Sequence, residues 1–548
     1  MSLTKICQDC GQEFVWEDID LECFKKFGVE PLDICPTCQH KTHLCYRNER
    51  VLYRRKCDVT GENIISIYHP ESPYKVYKPD YFWSDKWNAK DFGQDFDFNR
   101  PFFEQFLGLK LKVPRLAIHN VKAENSDFCN TSAGNKDSYM IFGGDYNEGC
   151  MFGILCDKNR YCLDLDYAYN CEVLYYCSDL ANCYDCQYVF NCSTCSNCYF
   201  CEECSGCSEC ILCFNLKNKK YCIENKEYGR DEYMKLKAGF ITGRYSDTQV
   251  LFDKFLKERI KPIKKYAHIV ACQDCSGEYI VNSKNCTKCF DVSMSEDSRE
   301  IIYGAQIKDC FLCDMIGIGS ELCYNSTSIF DSYRPYFSFW VISSSDVYYS
   351  DFCLNSHDLF GCVGINHGEF CILNKQYSEK DYREMTRKII EHMKKTGEFG
   401  KPLPKKLSCF GYNETTAGIY WPLTKDEAVK RGFNWRDEVV SKHVTQTYVV
   451  PDFIGEVKDD ILDAVLDCNM CAKNYRILTQ ELKWYRKHLV PIPHSCPNCR
   501  LKARAGMRNP RKLWERKCGK CRMSLQSSYA TDRTEKIYCE KCYLEEVY

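Results

Sequence analysis

Between Cys129 and Cys222 the apolar and polar positions follow a period that neither a helix nor a plain strand uses. All 17 cysteines of this stretch fall in one phase of a three-residue repeat, and from Cys192 to Cys213 every third residue is cysteine. A helix would repeat its apolar face every 3.6 residues and a strand every 2. A second stretch shows a longer unit. Ser320, Ser326, Ser332, Ser338, Ser344, Ser350 and Ser356 recur every six residues, with Cys323, Ile329, Pro335, Val341, Val347, Cys353 and Leu359 midway between them. Small and aliphatic residues at fixed places in a hexad mark a parallel β-helix, each hexad making one short side of a coil. Three hexads predict a triangular coil of about 18 residues. At about 4.8 Å per coil, residues 120–222 then predict a rod roughly 25 to 30 Å long. The phase shifts by one residue near Gly317-Ile318-Gly319, where a glycine-rich bulge would absorb it.

Two duplications order the rest of the chain. At an offset of 461, Cys7, Cys10, Cys35 and Cys38 match Cys468, Cys471, Cys496 and Cys499. The match runs without a gap through Arg47–Cys57 and Arg508–Cys518. Beyond it the positions of Cys521, Cys539 and Cys542 are held by Thr60, Lys78 and Tyr81. At an offset of 149, Cys213, Cys222, Asn225, Tyr228 and Tyr233 match Cys362, Cys371, Asn374, Tyr377 and Tyr382. Each repetitive segment runs into a helical one. Asp381–Lys395 carries Met385, Ile389, Ile390 and Met393 on one face, and Thr424 with Glu427 forms a capping box.

The predicted fold is mainly β: two cysteine- and serine-rich parallel β-solenoids with a hexad repeat, each followed by helices, flanked by small zinc ribbons. The domains read 1–82 (N-terminal ribbon plus a degenerate second ribbon), 83–119 (aromatic-rich connector capping the first solenoid), 120–222 (first solenoid), 223–271 (helical connector), 272–371 (second solenoid), 372–455 (helix and linker) and 456–548 (C-terminal double ribbon).

Zinc takes four thiolates at tetrahedral corners, and a C-x-x-C turn supplies two of them. Cys468/Cys471/Cys496/Cys499, Cys518/Cys521/Cys539/Cys542 and Cys7/Cys10/Cys35/Cys38 each pair two such turns. Closed four-thiolate sites are structural, so three zinc ions are expected, and a fourth if Cys272, Cys275, Cys286 and Cys289 close a knuckle. The Cys192–Cys213 run could also hold metal. Ser, Val, Ile and Leu replace those cysteines in the second repeat, which favours their being small interior hydrophobes.

The whole-chain charge excludes a general polyanion binder, since 74 Lys and Arg meet 76 Asp and Glu. The local charge differs. Arg500, Lys502, Arg504, Arg508, Arg511, Lys512, Arg516, Lys517, Lys520 and Arg522 crowd one stretch around Trp514. Arg500, Arg504, Arg508, Arg511, Lys512, Trp514, Arg516 and Lys517 are the candidate nucleic-acid residues, cations for phosphate and an aromatic for an unpaired base. The alternative is a basic face turned to solvent, to protein partners or to the chain's own acids, such as Glu456–Asp467.

The 43 cysteines, the C-x-x-C pairs and the absence of an apolar signal core in Met-Ser-Leu-Thr-Lys-Ile-Cys favour a reduced, cytoplasmic setting. No stretch reaches the roughly 18 consecutive apolar residues of a membrane span. No H-E-x-x-H, G-x-S-x-G or phosphate loop is present. The expected function is a non-enzymatic zinc-binding scaffold that binds structured RNA or DNA through the C-terminal ribbons. The alternatives are a protein-assembly scaffold using the solenoid faces and an acyltransferase-like β-helix enzyme.

Glu22, Phe24, Pro31 and Cys35-Pro36-Thr37-Cys38, with Glu481, Tyr485, Pro493 and Cys496-Pro497-Asn498-Cys499-Arg500, resemble the small bacterial "probable zinc-ribbon" domains. The whole chain resembles cysteine-repeat proteins of candidate-phyla bacteria that carry such ribbons at their ends. The resemblance implies the architecture and no activity. Some of those proteins bear a CoA-transferase label, but nothing in this chain reads as the large α/β domain that label requires.

Overall fold

The computed structural model describes residues 2–437 and 443–547, so residues 438–442 of the expected 372–455 linker lie outside the described residues. The molecule is mainly β and contains a β-solenoid whose ladder runs over Asn120–Glu227 and over Ile269–Gln376. Strands pair in parallel with partners 12 residues apart: Met151 opposite Leu163, Leu163 opposite Tyr175, Ser196 opposite Ser208 and Ser208 opposite Lys220. The triangular 18-residue coil is therefore wrong. One turn takes 12 residues, and residues 120–222 stack to roughly 40 Å at the ordinary strand spacing.

The three-residue period belongs to the backbone. Asn197, Phe200, Glu203, Glu209 and Leu212 have φ of 53°, 54°, 60°, 53° and 52°, and each precedes an interior cysteine. A left-handed residue turns the chain, so each triplet makes a short side and four triplets close a turn. Asn and Asp tolerate this conformation best after glycine, and they hold many of these positions, Asn170, Asn182, Asn191, Asn215 and Asn218 among them.

What fills the narrow interior must also meet inward carbonyls. Cys195 Sγ donates to the carbonyls of Ser193 (3.3 Å) and Cys204 (3.5 Å), and Cys204 N donates to Cys192 Sγ (3.2 Å). In the second stretch Ser326 Oγ donates to Tyr324 O (2.9 Å) and Pro335 O (3.2 Å), and accepts from Ser338 N (3.0 Å). Cysteine and serine thus do the same work, because each is small and offers one donor and one acceptor. One coil of the second stretch has 13 residues, with Asp314 opposite Thr327. The extra residue lies at the expected Gly317–Gly319 slip, where Gly319 has φ +80° and Ile318 is exposed.

Contacts between the stretches run in opposite senses along the chain. His268 meets Glu203, Tyr279 meets Asn191, and Arg508 joins Asp291 to Asp179. The stretches therefore lie side by side and antiparallel. At the far end His119 packs on Trp340, ring centroids 5.1 Å apart.

Each terminal segment clamps both stretches. Val76–Tyr77 pairs with Arg115–Leu116 at the start of the first stretch, while the Pro36–Leu44 helix lies on Phe311–Gly317 of the second. At the other end Ile537–Tyr538 pairs with Lys264–Lys265 before the second stretch, while the Pro497–Ala505 helix lies on Leu163–Tyr169 of the first. The aromatic connector was expected to cap the first solenoid. It covers the end of the second instead: Asn374 Nδ2 donates to Ala89 O, Gln94 N to Leu373 O, and Phe102 packs on Phe360 at 5.4 Å. The helix after the second stretch spans Glu379–Lys395, is capped by Ser378 and buries Tyr382, Ile389 and Met393. Thr424 and Glu427 form the expected capping box.

Candidate metal centres and the basic seam

Three four-cysteine clusters are assembled: Cys7/Cys10/Cys35/Cys38, Cys468/Cys471/Cys496/Cys499 and Cys518/Cys521/Cys539/Cys542, the four sulfurs of each within 4.8 Å of one another. The same local structure builds all three. The first C-x-x-C forms a tight turn whose exit residue has positive φ: Gly11 at 70°, Ala472 at 55° and Arg522 at 64°. That residue's N–H returns to the carbonyl of Cys7, Cys468 or Cys518. The second pair sits at a helix start, and the N–H of Cys35, Cys496 or Cys539 donates to the sulfur of Cys7 (3.3 Å), Cys468 (3.2 Å) or Cys518 (3.3 Å). Such N–H donors favour thiolate over thiol. Burial pushes the Cys468 thiol up, but the N–H groups of Cys496, Met470 and Cys471 outweigh it and bring it to about 6. Each cluster offers four sulfurs at metal-ligand spacing and could hold a metal ion.

A fourth turn keeps this geometry without the ligands. Gly61 N returns to Cys57 O, and Lys78 N donates to Cys57 Sγ at 3.4 Å. Thr60, Lys78 and Tyr81 stand at the other three ligand positions, and Lys78 Nζ pairs with Glu62 at 2.5 Å.

The expected knuckle of Cys272, Cys275, Cys286 and Cys289 is not formed. These residues follow the solenoid's triplet register, with Cys272 Sγ on the carbonyls of Val270 and Ile280 and Cys289 Sγ on those of Thr287 and Ser298. Among the described residues no solenoid cysteine joins a metal-sized cluster, and the Cys192–Cys213 run packs the interior.

Sequence reasoning missed one group. His40, His43 and Asp314 meet where the N-terminal ribbon lies on the solenoid, with Asp314 oxygens 2.9 Å from His40 Nδ1 and 2.5 Å from His43 Nδ1. His43 Nε2 reaches Asn325 Oδ1 at 3.0 Å. Burial pulls His40 down, but Asp314 and Glu300 outweigh it and lift it to about 9. The offset of 461 held the signal, because it aligns His43 with Arg504, which faces Asp166 in the same way.

The basic cluster divides in two. Arg500 and Arg504 are buried, at 4% and 0% exposure. Arg500 Nε is 2.7 Å from Asp164, and Arg504 is 2.9 Å from both Asp164 and Asp166. Arg508 holds Asp179 (3.0 Å) and Asp291 (2.5 Å) between the rings of Tyr167 and Tyr279. Arg511 takes Asp291 at 2.8 Å and lies over Tyr420. The partners are solenoid aspartates, not the Glu456–Asp467 segment. These four arginines seal a seam inside the molecule. Lys512, Trp514, Arg516 and Lys517 remain at the surface or half-buried, with Lys512 Nζ 5.2 Å from the Trp514 ring and Arg516 donating to Ala530 O.

No family model matches this chain, and no curated protein matches it. The sites therefore rest on their own geometry. Among the described residues no helix is long and apolar enough to cross a membrane.

Proposed function

We infer that the protein is a non-enzymatic scaffold braced by three zinc ions. The observation that supports this most is the placement of the clusters. All three lie in the terminal clamps that bind the antiparallel solenoid stretches together. Four thiolates complete a tetrahedral zinc shell and leave no position for substrate, so the metal's work is to fix short segments that bury little core of their own. All 43 cysteines are unpaired, which supports a reducing compartment such as the cytoplasm.

Internal use of Arg500, Arg504, Arg508 and Arg511 shifts the weight from nucleic acid toward protein assembly on the solenoid faces. A nucleic-acid role would fall to Lys512, Trp514, Arg516 and Lys517 alone. The test is native mass spectrometry of protein purified from its own cells. Three zinc ions and a co-purifying protein that persists after nuclease treatment support the scaffold. Nucleic acid that is released by Lys512→Ala with Lys517→Ala would replace it.

A further inference from the structure

The two junctions where the start of one solenoid stretch meets the end of the other are built from matching positions. The offset of 149 carries Lys110, Arg115 and His119 onto Arg259, Lys264 and His268, and carries Glu202 onto Asp351. At the later junction every charge is answered. Glu202 takes Arg259 and Lys264, His268 lies between Glu203 (2.7 Å) and Glu278 (2.5 Å), and Glu535 holds Arg533.

At the earlier junction Lys110, Arg115 and His119 remain, Arg533 is matched by Ser72, and three of the acids are gone. Glu203 is matched by Phe352 at the offset of 149 and Glu535 by Tyr74 at the offset of 461, while the place of Glu278 is held, one residue out of the 149 register, by Asn130, whose Oδ1 accepts from His119 N as a Glu278 carboxylate oxygen accepts from His268 N. Asp351 is left to face Lys110 (2.6 Å) and Arg115 Nη1 (3.1 Å). Arg115 Nε and Nη2, Trp340 Nε1 and His119 Nδ1 are buried without a hydrogen-bond partner. Arg115 is 4% exposed and its guanidinium lies over the Tyr74 ring at 5.6 Å. Arg115, His119 and Trp340 line one cavity of about 40 Å³, whose other charged residues are the paired Arg47 and Glu49, Lys110 and Asp351.

Buried donors left unpaired are costly, and their shape says what would satisfy them. Nε and Nη2 form the edge of a guanidinium that fits the two oxygens of a carboxylate. We propose that this cavity binds a small carboxylate anion, held side-on by Arg115 with Trp340 Nε1 as a further donor. The ligand supplies the negative charge that glutamates supply at the matching junction. Two or three water molecules would also fit such a volume, so the anion must be shown directly.

The experiment uses the full-length, metal-loaded protein at constant ionic strength, titrated with sodium formate, sodium acetate, sodium phosphate or sodium chloride. The expected result is a saturable rise in melting temperature with formate or acetate and none with phosphate or chloride. Trp340→Phe should weaken that binding about tenfold. Tyr74→Glu, which places a carboxylate where Glu535 stands in the other junction, should abolish it. If Tyr74→Glu does not fold, Trp340→Phe decides. No saturable response to formate or acetate, a response to phosphate or chloride instead, or an unchanged response in Trp340→Phe overturns the proposal.

Discussion

His43 Nδ1 lies 2.5 Å from Asp314, at the place where the other half of the molecule sets Arg504 2.9 Å from Asp166. The two contacts differ in reserve. Asp314 keeps His40 when His43 is lost, whereas Asp166 takes its hydrogen bonds from Arg504, with Arg50 acting only through its charge, and Arg504 shares Asp164 with Arg500. Removing one partner of a buried ion pair strands its counter-charge, at about 3 to 5 kcal/mol. Arg504→Ala should therefore lower stability by about that amount in urea unfolding, and His43→Ala by clearly less. Equal losses would show that the two docks are not built on the same logic.

Metal content separates the intact turns from the one that has lost its ligands. On the proposed assignment of one zinc to each cluster, Cys471→Ser should reduce the zinc bound per chain from three to two, because three thiolates no longer close the shell. Cys57→Ser should leave it at three, since Thr60, Lys78 and Tyr81 supply no thiolate beside it. Elemental analysis of the two purified variants checks both outcomes, and a loss of zinc in Cys57→Ser would contradict the assignment.

Within the solenoid the demand is for size and a donor. Cys198 Sγ sits on the carbonyls of Ser196 (3.4 Å) and Cys207 (3.7 Å), as Ser326 Oγ sits on its own pair. Cys198→Ser should cost less than about 1.5 kcal/mol, while Cys198→Leu should overpack the interior by about 1 to 3 kcal/mol. If the serine variant loses more than the leucine variant, sulfur has a role there beyond packing.

His268 gives a pH dependence. Burial acts to lower its pKa, but Glu203 and Glu278 outweigh it and raise it well above 6.5. Lys264 and Arg259 stand across Glu202 beside it, and Tyr279 stacks on the ring at 4.7 Å. A raised folded pKa means that the stabilisation is fully present below about pH 6.5 and is lost as pH climbs through the folded value. Urea unfolding from pH 6 to 10 should show stability falling with pH in the parent and a flatter profile in His268→Gln. Identical profiles would remove His268 from the account.

The cysteine period and the serine hexad announced the solenoid, and the C-x-x-C spacings announced the clusters, because in both cases local geometry dictates residue type. Turn length was not legible in the same way. A hexad repeats equally well whether two or three of them close a coil, and only the 12-residue pairing of Ser196 with Ser208 decides it. Cys272–Cys289 imitated a zinc knuckle because triplet spacing contains C-x-x-C. The basic seam was misread for a different reason. Asp164, Asp166, Asp179 and Asp291 are scattered along the chain, and the fold alone gathers them under Arg500, Arg504, Arg508 and Arg511.

That gathering sets an order in time. Asp164 is covered by Arg500, which lies 336 residues further along, and Asp166 by Arg504, 338 residues further. During synthesis the first solenoid stretch emerges early with both carboxylates still hydrated and its docking face bare, and that face stays open until the Pro497–Ala505 helix leaves the ribosome. A face made early is thus covered late.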